Sequence, residues 1–94
     1  MAKRSKNGTG FKHARHVAWR KVADEAVILD LDTAQYYSLA GPGLRAWELL
    51  ISGRSPAAAA AALDAEFEAP PGRIAADVAE LLAALKKEGL LEPA

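Results

Sequence analysis

The chain has 94 residues, 51% of them apolar and 26% charged, which suits one globular domain and is too short for two. It contains no cysteine, and this excludes disulfides, thiolate zinc sites and iron–sulfur clusters. No run approaches the roughly 20 apolar residues of a membrane span, and no apolar run follows the basic N-terminus as in a secretory signal. We therefore expect a cytoplasmic protein with no membrane partner.

The zero net charge hides an uneven distribution of charge along the chain. Residues 1–23 carry seven Lys and Arg residues and no acid, whereas residues 24–94 carry five bases and all twelve acids. The first twelve residues offer little apolar surface to offset the entropy cost of ordering. We predict a disordered basic tail over residues 1–14 and a folded domain over residues 15–94. The tail either keeps the chain soluble or steers an acidic partner.

Three short segments after the tail have the composition of β-strands. His16–Val22 alternates and is rich in β-branched and aromatic residues, while Ala26–Leu31 is an apolar run too short for a helix. Gln35–Leu39 follows after one more turn. Connections of about three residues join only antiparallel neighbours. The pattern predicts an antiparallel meander in which the first and third strands are edges.

The apolar period becomes helical after the Ala-Gly-Pro-Gly break at residues 40–43. Ser55 and Pro56 are typical of an N-cap and a first helical position, and Gly89 is typical of a C-cap. Three helices are predicted, with core positions at Leu44, Trp47, Leu50, Ile51, Leu63, Phe67, Ile74, Val78, Leu81 and Leu85. Because a three-stranded sheet is not stable alone, its apolar face must lie on these helices. The predicted fold class is α+β, a three-stranded antiparallel meander followed by three α-helices.

Residues able to perform chemistry are scarce. His13 and His16 are the only histidines, and no carboxylate lies near them in sequence to complete a metal site. Asp30 and Asp32 flank a turn, where carboxylates more often cap and solvate than bind a cation. No serine lies near a base that could activate it, and no phosphate-binding loop is present. The sequence predicts that the protein is not an enzyme and has no cofactor or metal.

The aromatic residues divide between the core and a possible binding surface. Trp47 has the helical spacing of a core residue, and Trp19 is expected to be at least half-buried. Tyr36 and Tyr37 are adjacent in one strand and must point to opposite faces of the sheet. One of them therefore belongs to the core, and the other displays its ring near an open edge, where it can contact a ligand.

Two stretches carry a resemblance to a known family. They are HVAWRKVADEAVILDLDTAQYYSLAGPGLRAWELL and, after a variable second helix, IAADVAELLAALKKEGLLE. Leu-Asp at a strand end, Tyr-Tyr-x-Leu, Gly before a helix with Trp-x-Leu-Leu, and a terminal Gly-Leu occur in the order typical of the PqqD-like family. The chain thus resembles the standalone precursor-peptide recognition elements of ribosomally made, post-translationally modified peptide pathways. Ala34 and Ala40 depart from the Gly and Asn that the family often has there.

The resemblance implies a winged-helix-like, non-catalytic fold that captures the leader region of a precursor peptide. The leader would add a strand to the third strand of the sheet and lie in a groove against the third helix. Its partner would be a modifying enzyme, such as a radical-SAM maturase, or a leader peptidase. We expect side-chain pockets at Tyr36, Asp77 and Leu81, and the whole predicted peptide site comprises Gln35, Tyr36, Tyr37, Ser38, Leu39, Ile74, Asp77, Val78 and Leu81.

Two other classes of function fit a small fold with three helices. A DNA-binding winged helix would need several bases along an exposed helix to neutralise phosphates. The second helix instead carries Asp64 and Glu66, and the third carries Asp77 and Glu80, so we expect no nucleic-acid partner. A purely structural or dimerisation domain is the other alternative.

Overall fold

The core of the computed structural model, which describes residues 10–94, is built on three consecutive strands and three helices. The elements are β1 (Phe11–His13), β2 (Val17–Val22), β3 (Glu25–Asp30), β4 (Tyr36–Ala40), α1 (Pro42–Ile51), α2 (Pro56–Glu66), α3 (Arg73–Lys87) and β5 (Leu91–Pro93). Strands β2, β3 and β4 form one antiparallel sheet in that order. The predicted α+β class, with a meander whose outer strands are edges and three following helices, is confirmed.

The sheet has one face on the core and one face away from it. Ala26 and Ile28 of β3 are fully buried, whereas Val27 and Leu29, which alternate with them, are only half-buried. This alternation follows from the two-residue period of a strand. The residue pairs across the ladder include Trp19 with Ile28 and Ile28 with Tyr37. Trp19, Ile28 and Tyr37 therefore lie in one row on the core face.

The helices cover that core face, and Trp47 of α1 is the centre of the packing. Its side chain is completely buried, and its ring meets the ring of Trp19 edge-on, with the centroids 5.9 Å apart. The indole N–H of Trp47 has no hydrogen-bond partner among the described residues, so part of the gain from burying the ring is offset. Trp47 is in the core and Trp19 is partly buried against it, as the sequence predicts.

The helix ends follow their sequence signals. The Ser55 hydroxyl accepts a hydrogen bond from the backbone N–H of Ala58 at 3.1 Å, with Pro56 at the first helical position. This confirms the predicted N-cap. Gly89 takes a positive φ of 74° directly after α3, a conformation in which glycine has no Cβ penalty.

A two-stranded ribbon joins the two ends of the described chain and corrects the predicted domain boundary. Strand β1 pairs antiparallel with β5, so that Lys12 lies opposite Glu92. Gly10 packs closely on Gly53. A Cβ atom on Gly10 would lie only 2.5 Å from the carbonyl oxygen of Gly53. Residues 10–14 are therefore part of the folded body, although the disordered tail is predicted to reach residue 14. The remainder of that tail, residues 1–9, lies outside the described residues.

The helices are short relative to a lipid bilayer. Across residues 10–94, none of them combines the length and the apolar character that crossing a membrane requires.

Candidate functional site

The outer side of β4 is an open edge with unpaired backbone groups. The N–H of Asp30 donates to the carbonyl oxygen of Gln35 at 2.9 Å, and bonded pairs alternate along an antiparallel ladder. With the observed register, Tyr37 and Leu39 direct their N–H and C=O groups inward to β3. The groups of Tyr36, Ser38 and Ala40 point outward, and no strand within residues 10–94 pairs with them.

The side chains of β4 divide between the two faces of the sheet. Tyr37 and Leu39 are half-buried and pack against the core, whereas Tyr36 is 73% exposed and lies on the opposite face. The strand contains no charge and no proline. It therefore lacks two of the devices by which proteins commonly protect edge strands from pairing.

An apolar groove of about 460 Å³ opens beside the end of β4. Pro42 and Gly43, the first residues of α1, line one side of it, and Leu63 of α2 and Phe67, the C-cap residue of α2, also line it. The wall on α3 includes all four predicted helix residues, Ile74, Asp77, Val78 and Leu81, together with Arg73. The α3 half of the predicted site therefore forms one continuous surface. The contributions of α1 and α2 have no signal in the sequence, because they depend on how the helices cross.

Charged groups lie on the rim of this groove. The guanidinium Nε of Arg73 is 3.1 Å from Oδ2 of Asp77, and both side chains are more than half exposed. An exposed pair at this i, i+4 spacing contributes little stability. Asp77 is thus positioned at the entrance of the groove, where it and Arg73 can both reach a ligand.

Tyr37 links β4 to the far end of α3. Its hydroxyl can donate a hydrogen bond to a carboxylate oxygen of Glu88 at 3.1 Å or to the amide oxygen of Gln35 at 3.2 Å. Burial, together with the bond to Glu88, raises the pKa of the Tyr37 phenol, so the group stays a neutral donor. Tyr37 therefore joins β4 to the C-terminal end of α3, whereas the groove lies along the first half of α3.

Tyr36 does not lie where we expected it. We expected Tyr36 to lie with Asp77 and Leu81 where strand and helix meet, but its side chain points to the face of the sheet away from α3. Tyr37 points towards the helices instead. The alternation of faces is readable from the sequence, but which tyrosine faces inward depends on the register with β3.

His16, Asp30 and Asp32 are grouped near the turn that follows β3. Each of them places one potential metal-ligating atom within 4.8 Å of those of the other two. The carboxylate of Asp30 is buried, and its Oδ1 accepts hydrogen bonds from the backbone N–H groups of Asp32 and Thr33 at 2.9 and 3.2 Å. These bonds organise the turn between β3 and β4. The expectation that this aspartate caps a turn is confirmed.

Comparisons with known proteins agree with this geometry. The family model for coenzyme PQQ synthesis protein D (PqqD) matches residues 25–91. The solved structure of TbiB1 in complex with the TbiA(beta) leader peptide is 33% identical, covering 86% of this chain and 94% of that one with a TM-score of 0.79. Lasso peptide synthetase B1 complexed with the leader peptide is 26% identical, covering 88% and 98%, also with a TM-score of 0.79. No curated protein is similar enough to match.

Proposed function

This chain belongs to the PqqD family, and from that premise we propose that it captures the leader region of a ribosomally synthesised precursor peptide. Capture is by strand addition at β4, and the module then presents the peptide to a modifying enzyme, such as a radical-SAM maturase, or to a leader peptidase. It performs no chemistry itself.

The observation that carries this proposal is the uncharged open edge of β4 beside an apolar groove. A leader strand that pairs with the outward groups of Tyr36, Ser38 and Ala40 gains backbone hydrogen bonds whatever its sequence. Every second side chain of that strand then points to the helix side of the sheet. There Val78 and Leu81 can receive apolar side chains, which supplies selectivity.

The relatives support the proposed ligand. Both solved structures are complexes with leader peptides, and both match this chain over nearly its whole described length. The non-catalytic part of the proposal rests on the residue inventory of the groove. Neither histidine lies in the groove, and the chain has no cysteine to act as a nucleophile.

A charge placed inside the groove tests this function. The probe is the fluorescently labelled leader of the precursor encoded beside the gene for this chain, titrated with the protein by fluorescence anisotropy. We expect saturable binding by the unmodified protein. We expect Leu81→Arg to weaken it by at least about tenfold, because an unpaired charge facing an apolar ligand is costly.

The matched control is Ala76→Arg, which puts the same side chain on an exposed position of α3 that does not line the groove. It should bind the leader within about twofold of the unmodified protein, as surface substitutions usually shift free energies by less than ~0.5 kcal/mol. Circular dichroism verifies that both variants are folded. Absence of leader binding by the unmodified protein, or full affinity in folded Leu81→Arg, contradicts the proposal.

A further inference from the structure

The face of the sheet opposite the helices, called here the outer face, is apolar although it is uncovered. It consists of alternate residues of the three strands and their extension, Ala18, Arg20, Val22, Glu25, Val27, Leu29, Leu31, Tyr36, Ser38 and Ala40. None of these residues belongs to the hydrophobic core or packs against it. A half-covered antiparallel sheet normally alternates apolar and polar residues, with the polar ones facing water. The outer face departs from that rule.

Exposed apolar side chains are concentrated on this face. Within residues 10–94, the large hydrophobic residues classed as exposed are Tyr36 at 73%, Leu31 at 58% and Val22 at 49%, and all three lie here. Val22 and Leu31 lie at opposite ends of the face, and the half-buried side chains of Val27 and Leu29 connect them into one apolar surface. Single exposed hydrophobics need no explanation, but a connected apolar surface of this kind marks an interaction site.

The charge on the outer face indicates what covers it. Arg20 lies in the middle of β2, opposite Val27, and is exposed. It forms no ion pair with the described residues, and residues 1–9 contain no acid. The acid of this face, Glu25, lies at its end opposite Val22 and Ala40 and forms no ion pair with Arg20. A complementary partner therefore brings apolar side chains and a carboxylate for Arg20.

The outer face is continuous with the edge at which the leader is captured. A strand added to β4 lies about 4.8 Å from it and adds its own alternate side chains to the same face, beside Tyr36 and Ser38. A partner seated on the outer face would then contact the module and the captured peptide together.

We propose that the outer face is the docking surface for the enzyme that acts on the captured peptide, and that the bound leader completes this surface. The inference rests on the proposed function. Three strands about 4.8 Å apart and six residues long cover roughly 300 Å² in projection, and a fourth strand adds about 100 Å². The face alone is small beside the ~800 Å² of accessible surface that each partner of a stable interface buries, so docking should strengthen when the leader adds a strand.

Charge reversal on the outer face tests the proposal. The probe is the purified maturation enzyme encoded beside the precursor gene, immobilised for surface plasmon resonance and exposed to this protein with and without saturating leader. We expect leader to raise the affinity for the enzyme by about fivefold or more. Arg20→Glu and Leu31→Lys should each lower that affinity by about tenfold, in the range that anchor residues supply, while leader affinity stays within about twofold.

Arg54→Glu is the matched control, because Arg54 is exposed in the loop between α1 and α2 and belongs to no strand. It should change neither affinity. Full enzyme affinity in both outer-face variants overturns the inference, as does a dimer of this chain, seen by sedimentation, that the same variants abolish. Failure of the unmodified protein to bind leader at all ends the proposed function instead, and the anisotropy titration reports that separately.

Discussion

The two edges of the central sheet are built from different residues. The ladder directs the N–H and C=O groups of Trp19 and Lys21 outward from β2, just as it does for Ser38 on β4. The sequence of β2 is VAWRKV, with two adjacent cations, whereas β4 is YYSLA, with none. Both edges therefore offer backbone hydrogen bonds, but only one of them is charged.

The difference indicates that one edge is protected and the other is available. Lysine and arginine on an edge strand oppose pairing with another such edge, because their charges would be brought together and desolvated. The β4 edge lacks that protection and has an apolar groove beside its end. We infer that selection against unwanted pairing acts on β2, and that β4 is left open for a peptide.

Proline substitution tests the difference between the two edges directly and has the largest expected effect. Ser38→Pro removes an outward N–H from β4 without removing a bond to β3. Losing that donor and crowding the incoming strand should weaken leader binding by at least about tenfold, or ~1.4 kcal/mol. Anisotropy titration with the labelled leader measures the change.

The matched substitution at the protected edge is Lys21→Pro. It also removes an outward N–H, so it should leave leader affinity within about twofold if capture occurs at β4 alone. Circular dichroism must show both variants folded. Equal losses at the two edges, or full affinity in folded Ser38→Pro, would mean that strand addition at β4 is not how the leader binds.

Much of this arrangement can be predicted from local sequence patterns. The third strand, its edge position and the α3 face with Ile74, Val78 and Leu81 all follow from periods of two and of three to four residues. Turn and cap residues mark the boundaries, as at Ser55. Each of these signals depends on residues close together in the chain, which is why it survives without knowledge of the fold.

The features that could not be predicted depend on contacts between distant segments. Strands β1 and β5 have three residues each and pair across nearly the whole chain, so neither carries a periodic signal of its own. The bond of Tyr37 to Glu88 joins residues 51 positions apart. The orientation of Tyr36 depends on register, since a shift of one residue exchanges the two faces of a strand.

Substitutions in the two turns that flank β3 should have a smaller effect, on the free energy of unfolding. Ala23 precedes β3 with φ 55°, and Ala34 precedes β4 with φ 65°, a region that favours glycine. Ala34→Gly should raise the free energy of unfolding by about 0.5–1 kcal/mol, which is a few degrees in melting temperature. Thermal unfolding followed by circular dichroism measures it.

Ala23→Gly is the matched variant at the turn to the protected edge and should stabilise by a similar amount. Leader affinity should not change in either variant, because the relief of strain does not alter the outward groups of β4. A drop in affinity confined to Ala34→Gly would contradict this and show that the strained turn positions the open edge.

Substitution in the ribbon of β1 and β5 should have the smallest effect on stability, and this effect depends on pH. Glu92 accepts a hydrogen bond from the backbone N–H of Arg15 at 2.9 Å, and it lies 3.7 Å from the Arg15 guanidinium and 3.8 Å from the Lys12 ammonium. The backbone bond, aided by these cations and opposed by partial burial, lowers the pKa of Glu92 below its ordinary 4.5. The ionised carboxylate thus fastens the ribbon.

The sign of the pH dependence follows from that lowered pKa. A carboxylate whose pKa falls on folding stabilises the folded state above its unfolded pKa, and this stabilisation is lost as the pH falls through the folded value. Glu92→Gln should therefore lower the melting temperature near pH 7, and the gap to the unmodified protein should narrow below about pH 4. Melting curves between about pH 3 and pH 7 test this.

Glu80→Gln serves as the control, because Glu80 is exposed and forms no ion pair within residues 10–94. It should melt like the unmodified protein across the range. A gap for Glu92→Gln that stays constant with pH would mean that Glu92 acts by shape and packing and not by charge.

Leader affinity near neutral pH should be unchanged in both variants, since the ribbon contributes no residue to β4 or to the groove. A loss of affinity in Glu92→Gln alone would show that the ribbon, and not only the sheet, holds the open edge in place.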